Sequence, residues 1–327
     1  MPITPNDIKW KRSQTVNDTN SNGGRMSAQE IPSGVKNNIF PDVPKAEREA
    51  GSVKYRKVFI DIGNIGDLDM IDPLVFVDTP TQGQDAVHLL PATFTDTQSD
   101  IDSSYKEYAA GFLESPLLPG DSSLIVQLDI AGSEPFVIGD KVRITNEDSA
   151  GAGTYELHTI HSVTHSQSTA SITLDGEVAN AFNTGISRVA TVYEASNISV
   201  GLVNFNNTSQ NGVLSESAIQ VGSLGAVHEI VSLTFNSATT YIATGEVSGA
   251  IGSGNRASDF VPLNPATSTP LFTIPASAWS GTFVSGETIT FETRPAALPL
   301  WYKRIVPAGA TEIAGNEVVI SIAGESF

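Results

Sequence analysis

Cysteine is absent from this chain of 327 residues, which excludes a disulfide scaffold, a thiolate metal site and a cysteine nucleophile. Charged residues make up only 17% of the chain, below the roughly 25% usual for globular proteins. The sequence has no apolar run of about 18 residues, the length that a membrane span requires. The first ten residues, MPITPNDIKW, lack the apolar region of a secretory signal peptide. We therefore expect neither a membrane segment nor a membrane partner.

Turn-forming residues are plentiful, with 28 glycines and 18 prolines beside an apolar fraction of 40%. Short segments of alternating apolar and polar residues between such turns are typical of β-strands. The fold class predicted is all-β, with a β-sandwich or barrel-like body formed by residues 52–119 and 196–327. The strands predicted in this body are 52–62, 73–80, 87–95, 198–205, 229–235, 240–247, 270–274, 287–293, 300–306 and 318–322. A long loop is predicted over 248–270, and one short helix over Lys45–Ala50, between Pro44 and Gly51.

Residues 120–195 are interpreted as a separate unit inserted into this body. Five short strands are predicted in it, at 123–130, 140–146, 155–163, 170–174 and 187–195. Five strands within about 75 residues fit a small closed or nearly closed barrel.

Residues 1–51 are rich in proline and polar residues and are predicted to form an extended N-terminal arm. The formal net charge of the chain is −18, but residues 1–57 hold ten basic and six acidic residues, a net charge of +4. The remaining residues hold eight basic and thirty acidic ones, a net charge of −22. A basic arm on an acidic body suits contact with a neighbouring copy, whereas nucleic acid is not expected as a partner. In the alternative interpretation, the arm packs on its own subunit as an extra edge strand.

Four residues of the arm are candidates for contacts with a partner. Trp10 and Phe40 are large apolar groups, and Arg12 and Arg25 are basic residues. Deletion of residues 1–50 is then expected to leave a folded body that no longer assembles. A second candidate surface is the aromatic and basic patch formed by Trp301, Tyr302 and Arg304, because Trp, Tyr and Arg dominate interface hot spots. The competing interpretation is that these rings fill the core of the C-terminal sheet.

Candidate metal and catalytic sites are weak. Strand geometry places His158 on the opposite face from His161 and His165, and the latter two lie about 13 Å apart, too far for one metal ion. The acidic segment 61–72, DIGNIGDLDMID, fails the spacing of a calcium loop. The sequence contains neither a G-x-S-x-G elbow nor a phosphate-binding G-x-x-x-x-G-K-[ST] loop. We expect no catalytic residues, no metal and no cofactor.

Four stretches together resemble a known family. They are SNGGRMSAQEIPSGVKNNIFPDV at 21–43, KYRKVFI at 54–60, WSGTFVSGETITF at 279–291 and PLWYKRIVPAGA at 299–310. They resemble virion structural proteins of tailed bacteriophages, and the resemblance spans the chain outside 120–195. It implies a non-enzymatic building block of the neck or collar at the head–tail junction. It brings no functional residues with it, because the family has no catalytic motif to match.

The resemblance implies an oligomer whose partners are copies of itself and other virion proteins, such as connector, tail or capsid proteins. It implies a location in the virion, after assembly in the cytoplasm of the bacterial host. The lack of cysteine fits assembly in a reducing compartment. A capsid decoration or baseplate protein remains an alternative, as does a carbohydrate-binding, adhesin-like module.

Overall fold

The computed structural model describes residues 2–146 and 153–326, and nearly all regular structure within them is β-strand. The strands are β1 (Ile8–Thr15), β2 (Gly23–Glu30), β3 (Ser52–Ile62), β4 (Met70–Thr79), β5 (Ala86–Pro91), β6 (Ala110–Leu113), β7 (Ser123–Leu128), β8 (Lys141–Thr145), β9 (Tyr155–His165), β10 (Thr169–Leu174), β11 (Arg188–Thr191), β12 (Tyr193–Glu194), β13 (Gly201–Asn207), β14 (Gly212–Leu214), β15 (Glu229–Phe235), β16 (Thr240–Gly245), β17 (Gly249–Asn255), β18 (Trp279–Gly281), β19 (Thr288–Arg294), β20 (Ala297–Val306) and β21 (Val319–Ser326). One helix, α1, spans Lys45–Ala50, and short 3-10 turns lie at Pro5–Asp7, Gln98–Asp100, Glu216–Ala218 and Ala276–Ala278. Among these residues no helix is long and apolar enough to cross a bilayer.

The central unit is a sandwich of two sheets. Its larger sheet has the strand order β2-β1-β3-β20-β5, and its smaller sheet has the order β12-β4-β21. Alternation along β3 points Val58, Ile60 and Ile62 into one apolar core, where Val75 and Val77 of β4 also lie. We refer to this unit as the sandwich, and the prediction of an all-β fold is confirmed.

A closed six-stranded barrel is inserted into the sandwich, with the strand order β10-β7-β6-β11-β8-β9. It begins at Ala110, ten residues before the predicted boundary, because β6 pairs with both β7 and β11 and closes the barrel. Four residues are too few to show a strand period in the sequence. Gly111 is required there, since a Cβ at this position would lie 2.3 Å from the carbonyl oxygen of Gln127. After β11 the chain returns to the sandwich as β12, so the barrel comprises residues 110–191.

Residues 201–294 form a third unit, here called the C-terminal insert, with a core of its own. Its main sheet has the order β13-β19-β15-β16-β17, and β14 pairs with β18. The structure therefore differs from the prediction of one continuous body over 196–327. Part of the loop expected at 248–270 is the edge strand β17, whose glycines hid its pattern, and 270–274 forms only isolated bridges.

The N-terminal residues also differ from the extended arm that we expected. β1 pairs antiparallel with β3, from Ile8 opposite Ile62 to Arg12 opposite Val58, and β2 lies outside it as the edge strand. We call residues 8–30 the N-terminal hairpin. The physical reason is that β3 is a buried strand whose backbone groups on this side require hydrogen-bond partners. Only the alternative interpretation, an added edge strand, agrees with this arrangement.

Candidate functional site

The residues expected to contact a partner converge on one place, the surface on which the N-terminal hairpin packs. We call it the hairpin seat; it is formed by β3, β20, the loop 92–98 and His228. Trp10 Nε1 donates a hydrogen bond of 2.9 Å to the hydroxyl oxygen of Tyr302. Tyr302 is fully buried, and its burial raises the pKa of the phenol. The hydroxyl therefore stays protonated, and this bond ties β1 to β20 across the intervening β3.

Phe40 lies between two guanidinium groups. Arg304 is 4.8 Å and Arg56 5.5 Å from the centre of its ring. Arg304 Nη1 also donates a bond of 2.6 Å to the carbonyl oxygen of Pro41. Arg12 Nη2 donates to the carbonyl oxygen of Asn38. These contacts hold residues 38–41, just beyond the hairpin, against the sandwich.

Trp301 contacts the glycine pair that ends the polar turn of the hairpin. A Cβ on Gly23 would lie 2.6 Å from the Trp301 ring, and the φ angle of Gly23 is +113°, so only glycine fits. Trp301 Nε1 donates to Asp96 Oδ2 at 2.8 Å. Lys57 Nζ, with no exposed side-chain surface, pairs with Asp96 Oδ1 at 2.6 Å and donates to the carbonyl oxygen of Gly24 at 2.7 Å. A buried ion pair thus anchors β2, and desolvation lowers the pKa of Lys57 despite this carboxylate.

Arg25 connects the hairpin to the C-terminal insert. Its Nη1 donates to His228 at Nδ1 and at the backbone oxygen, with distances of 2.8 and 3.0 Å, and its Nη2 pairs with Glu246 at 2.6 Å. Because arginine only donates, His228 Nδ1 is an acceptor and the ring proton lies on Nε2. Nε2 donates to Glu292 Oε1 at 2.7 Å. Burial lowers the pKa of His228, in agreement with a neutral ring.

A cleft of about 490 Å³ opens beside this histidine, between the sandwich and the C-terminal insert. Phe94, Ile230 and Leu298 form part of its wall. Glu292 remains ionised at its edge: burial alone would raise its pKa, but hydrogen bonds from Arg294, His228 and Asn204 hold it at about 2. Glu292 and Arg294 pair within the C-terminal insert, and the ion pair of Arg25 with Glu246 joins the two units.

The barrel is joined to the sandwich by a second buried network. His88 on β5 has no exposed side-chain surface, and its Nδ1 lies 2.7 Å from Glu107 while its Nε2 lies 3.2 Å from Asp129. Burial alone would lower the pKa of His88, but the two carboxylates outweigh it and raise the pKa to about 9. The ring is therefore a cation at neutral pH. Lys303 pairs with the other oxygen of Glu107 at 2.5 Å.

These positions correct the predicted partner surface at residues 301–304. Trp301 and Tyr302 are 0% and 1% exposed and Arg304 is 5% exposed, so they belong to the core of this chain. Trp10, Arg12, Arg25 and Phe40 are half-buried and make their contacts within the same chain. The sequence identified residues that dock two segments, but both segments belong to one subunit.

Two of the three candidate histidines have carboxylate partners, whereas the buried Nε2 of His165 has no hydrogen-bond partner among the described residues. His158 lies 2.9 Å from Glu156, and His161 lies 2.8 Å from Asp175. In the acidic segment, Asp67 accepts a bond of 2.7 Å from the backbone of Ser223, which fastens the segment to the C-terminal insert. Within residues 2–146 and 153–326, no group of His, Asp and Glu side chains is arranged to hold a metal ion.

Sequence reasoning missed Lys57, Asp96, His88 and His228. A signal existed for one of them. His88 stands among the apolar residues of β5. A lone ionisable residue in a buried strand requires a buried partner, which His88 has in Asp129. Lys57 follows Arg56 on a strand that also carries Lys54, so the sequence does not mark it.

Comparisons of the chain with protein-family models, curated proteins and solved structures find no match.

Proposed function

We propose that this protein is a non-enzymatic structural component of a tailed-phage virion. Its place is the neck or collar at the head–tail junction, where it assembles as an oligomer with copies of itself and with other virion proteins. The resemblance of four sequence stretches to such proteins supports this proposal, and so does the way in which the three units are joined.

The observation that carries the proposal is that both inserts are held firmly against the sandwich. The chain crosses between the sandwich and each insert twice, since both inserts begin and end at sandwich strands. Ion pairs and hydrogen bonds reinforce these crossings: His88 with Asp129 and Arg143 with Asp78 are buried ion pairs at the barrel, and Arg25 donates to the neutral His228 at the C-terminal insert. Two covalent connections restrict hinge motion at each junction, together with desolvated ion pairs at the barrel and the hydrogen bonds of Arg25 at the C-terminal insert. A braced block of this kind suits a load-bearing ring.

Electron microscopy of virions labelled with an antibody against this protein tests the location. Label at the head–tail junction supports the neck assignment. Label over the capsid or over the baseplate instead supports the alternative of a capsid decoration protein or a baseplate protein. Light scattering of the purified protein tests assembly, with a discrete oligomer as the expected result. A glycan array separates the adhesin-like alternative, because a neck protein binds no glycan. Specific glycan binding by a protein that is absent from virions would overturn the proposal.

A further inference from the structure

We propose that the N-terminal hairpin is exchanged between copies of this chain, so that the hairpin of one subunit fills the hairpin seat of its neighbour. The partner is a second copy, and the contacts are those described above within one chain. This inference rests on the proposed assembly role. It identifies which surface the copies share.

The segment that follows the hairpin has the form of a hinge. Ile31 is buried and donates its backbone N–H to the Trp10 carbonyl oxygen at 2.7 Å, and the chain is fastened again at Asn38. Residues 32–37 between these anchors are all exposed. Gly34 and Asn37 have φ angles of +72° and +57°, which turn the chain back on itself. When extended, six residues reach about 20 Å, so straightening this hinge carries the hairpin away from its own seat.

Exchange preserves the contacts of the hairpin. The bond from Trp10 to Tyr302, the packing of Gly23 on Trp301 and the bonds from Arg25 to His228 form identically whether the two sides belong to one chain or two. Domain swapping is a low-cost route to oligomers for this reason. Only the conformation of the hinge and the entropy of association differ between the two arrangements.

The charges of the hairpin suit the seat of a neighbouring copy as well as its own. Residues 8–30 carry four basic and two acidic residues, while residues 58–327 carry a net charge of −22. Two such bodies repel each other as they approach. An exchanged hairpin places the cations of one copy against carboxylates of the other, with Lys11 on Asp61 at 2.6 Å and Arg25 on Glu246 at 2.6 Å. The same ion pairs then hold the copies together.

The absence of cysteine makes a direct test possible. Ile8 lies opposite Ile62 across the β1–β3 pair, at a position where the two residues do not exchange backbone hydrogen bonds, because Ile62 N–H donates to Ala296. Such positions suit a disulfide. In the full-length variant Ile8→Cys/Ile62→Cys, oxidation links the hairpin to whichever chain holds it. The matched control is Ile125→Cys/Ser171→Cys, which joins β7 to β10 inside the barrel at a pair of the same kind, since the Ile125 carbonyl oxygen accepts a bond from Glu114 on its other side.

We expect the assembled fraction of the Ile8→Cys/Ile62→Cys variant to run as covalent dimers and larger multimers on a non-reducing gel. The control is expected to run as a single chain. An assembled fraction that contains only intrachain disulfides overturns the exchange and leaves the assembly role intact. A chain that remains monomeric at every concentration overturns both.

A second variant does not depend on these cysteines. Gly34→Pro/Asn37→Pro forbids the positive φ angles that turn the hinge back, because proline fixes φ at about −65°. If exchange occurs, this variant forms obligate oligomers with a melting temperature near that of the wild type. A destabilised monomer contradicts the proposal.

Discussion

The indole nitrogen of Trp301 donates a hydrogen bond of 2.8 Å to Asp96 Oδ2 in the interior of the protein. Asp96 also forms an ion pair with the ammonium group of Lys57. The Trp301 ring occupies the space that a side chain at Gly23 would need. The carboxylate of Asp96 thus joins strands β3 and β20, and the backbone oxygen of Asp96 accepts a bond of 2.9 Å from Gly24 of the hairpin.

Gly23→Ala is expected to destabilise the protein by about 2–4 kcal/mol, because the new methyl group overlaps the Trp301 ring and the residue has a positive φ. The matched control is Gly34→Ala, at a φ of +72° with open space around it. That change should cost about 1 kcal/mol, from backbone strain alone. Chemical denaturation measures both. Equal losses for the two variants would show that Trp301 does not restrict Gly23.

Lys57→Met is expected to lower the free energy of unfolding by about 3–5 kcal/mol, since it leaves the carboxylate of Asp96 buried without its cation. Lys36→Met removes an exposed pair with Asp42 and should change stability by less than about 1 kcal/mol. The double variant Lys57→Met/Asp96→Asn should lose less than Lys57→Met alone. Denaturation of the three variants checks this order, and a double variant that loses more stability than Lys57→Met alone would contradict the pairing.

Stability should fall at alkaline pH because of His88. Its pKa is about 9 in the folded protein and 6.5 ordinarily, so its contribution is complete below pH 6.5 and disappears as pH rises through 9. Near neutral pH the contribution is about 2–3 kcal/mol. His88→Gln should remove this alkaline loss, whereas the exposed His161→Gln should retain it. Melting temperatures from pH 6 to 10 measure the effect, and parallel curves for all three proteins would refute it.

The excised barrel should fold only with its short first strand. Residues 109–192 contain β6 and are expected to unfold cooperatively, while residues 120–195 lack β6 and leave the edges of β7 and β11 open. Circular dichroism melts of the two fragments make the comparison. If 120–195 alone melts cooperatively, β6 is dispensable for closure.

Deletion of residues 2–31 is expected to destabilise the body, in contrast to what a free arm predicts. The truncation uncovers β3 and removes the burial of Trp10 and Ile31, and each large apolar side chain contributes about 1.5–3 kcal/mol. A synthetic peptide of residues 2–31 should restore the melting temperature, and the same peptide with Trp10→Ala should restore less. An unchanged melting temperature after truncation would mean that the hairpin does not stabilise the body.

Local signals located several elements to the residue. Strand alternation placed β3 at Ser52–Ile62 and β15 at Glu229–Phe235, and Pro44 and Gly51 bounded α1. Alternation and backbone restriction act between chain neighbours, so they can be seen in a sequence. The short strand β6 and the glycine-rich β17 lack such a pattern. They are strands because β6 pairs with β7 and β11, and β17 pairs with β16.

The sequence by itself determined the all-β class and the presence of an inserted barrel. Tertiary structure alone decided that the hairpin docks on its own sandwich, that residues 201–294 form a separate unit, and that Lys57 and His88 find buried carboxylates. The physical reason is distance along the chain: Trp10 meets Tyr302 and Arg25 meets His228 only after the sheets have formed. Local alternation shows that a side chain will be buried, but its partner is chosen by the packing of strands far apart in sequence.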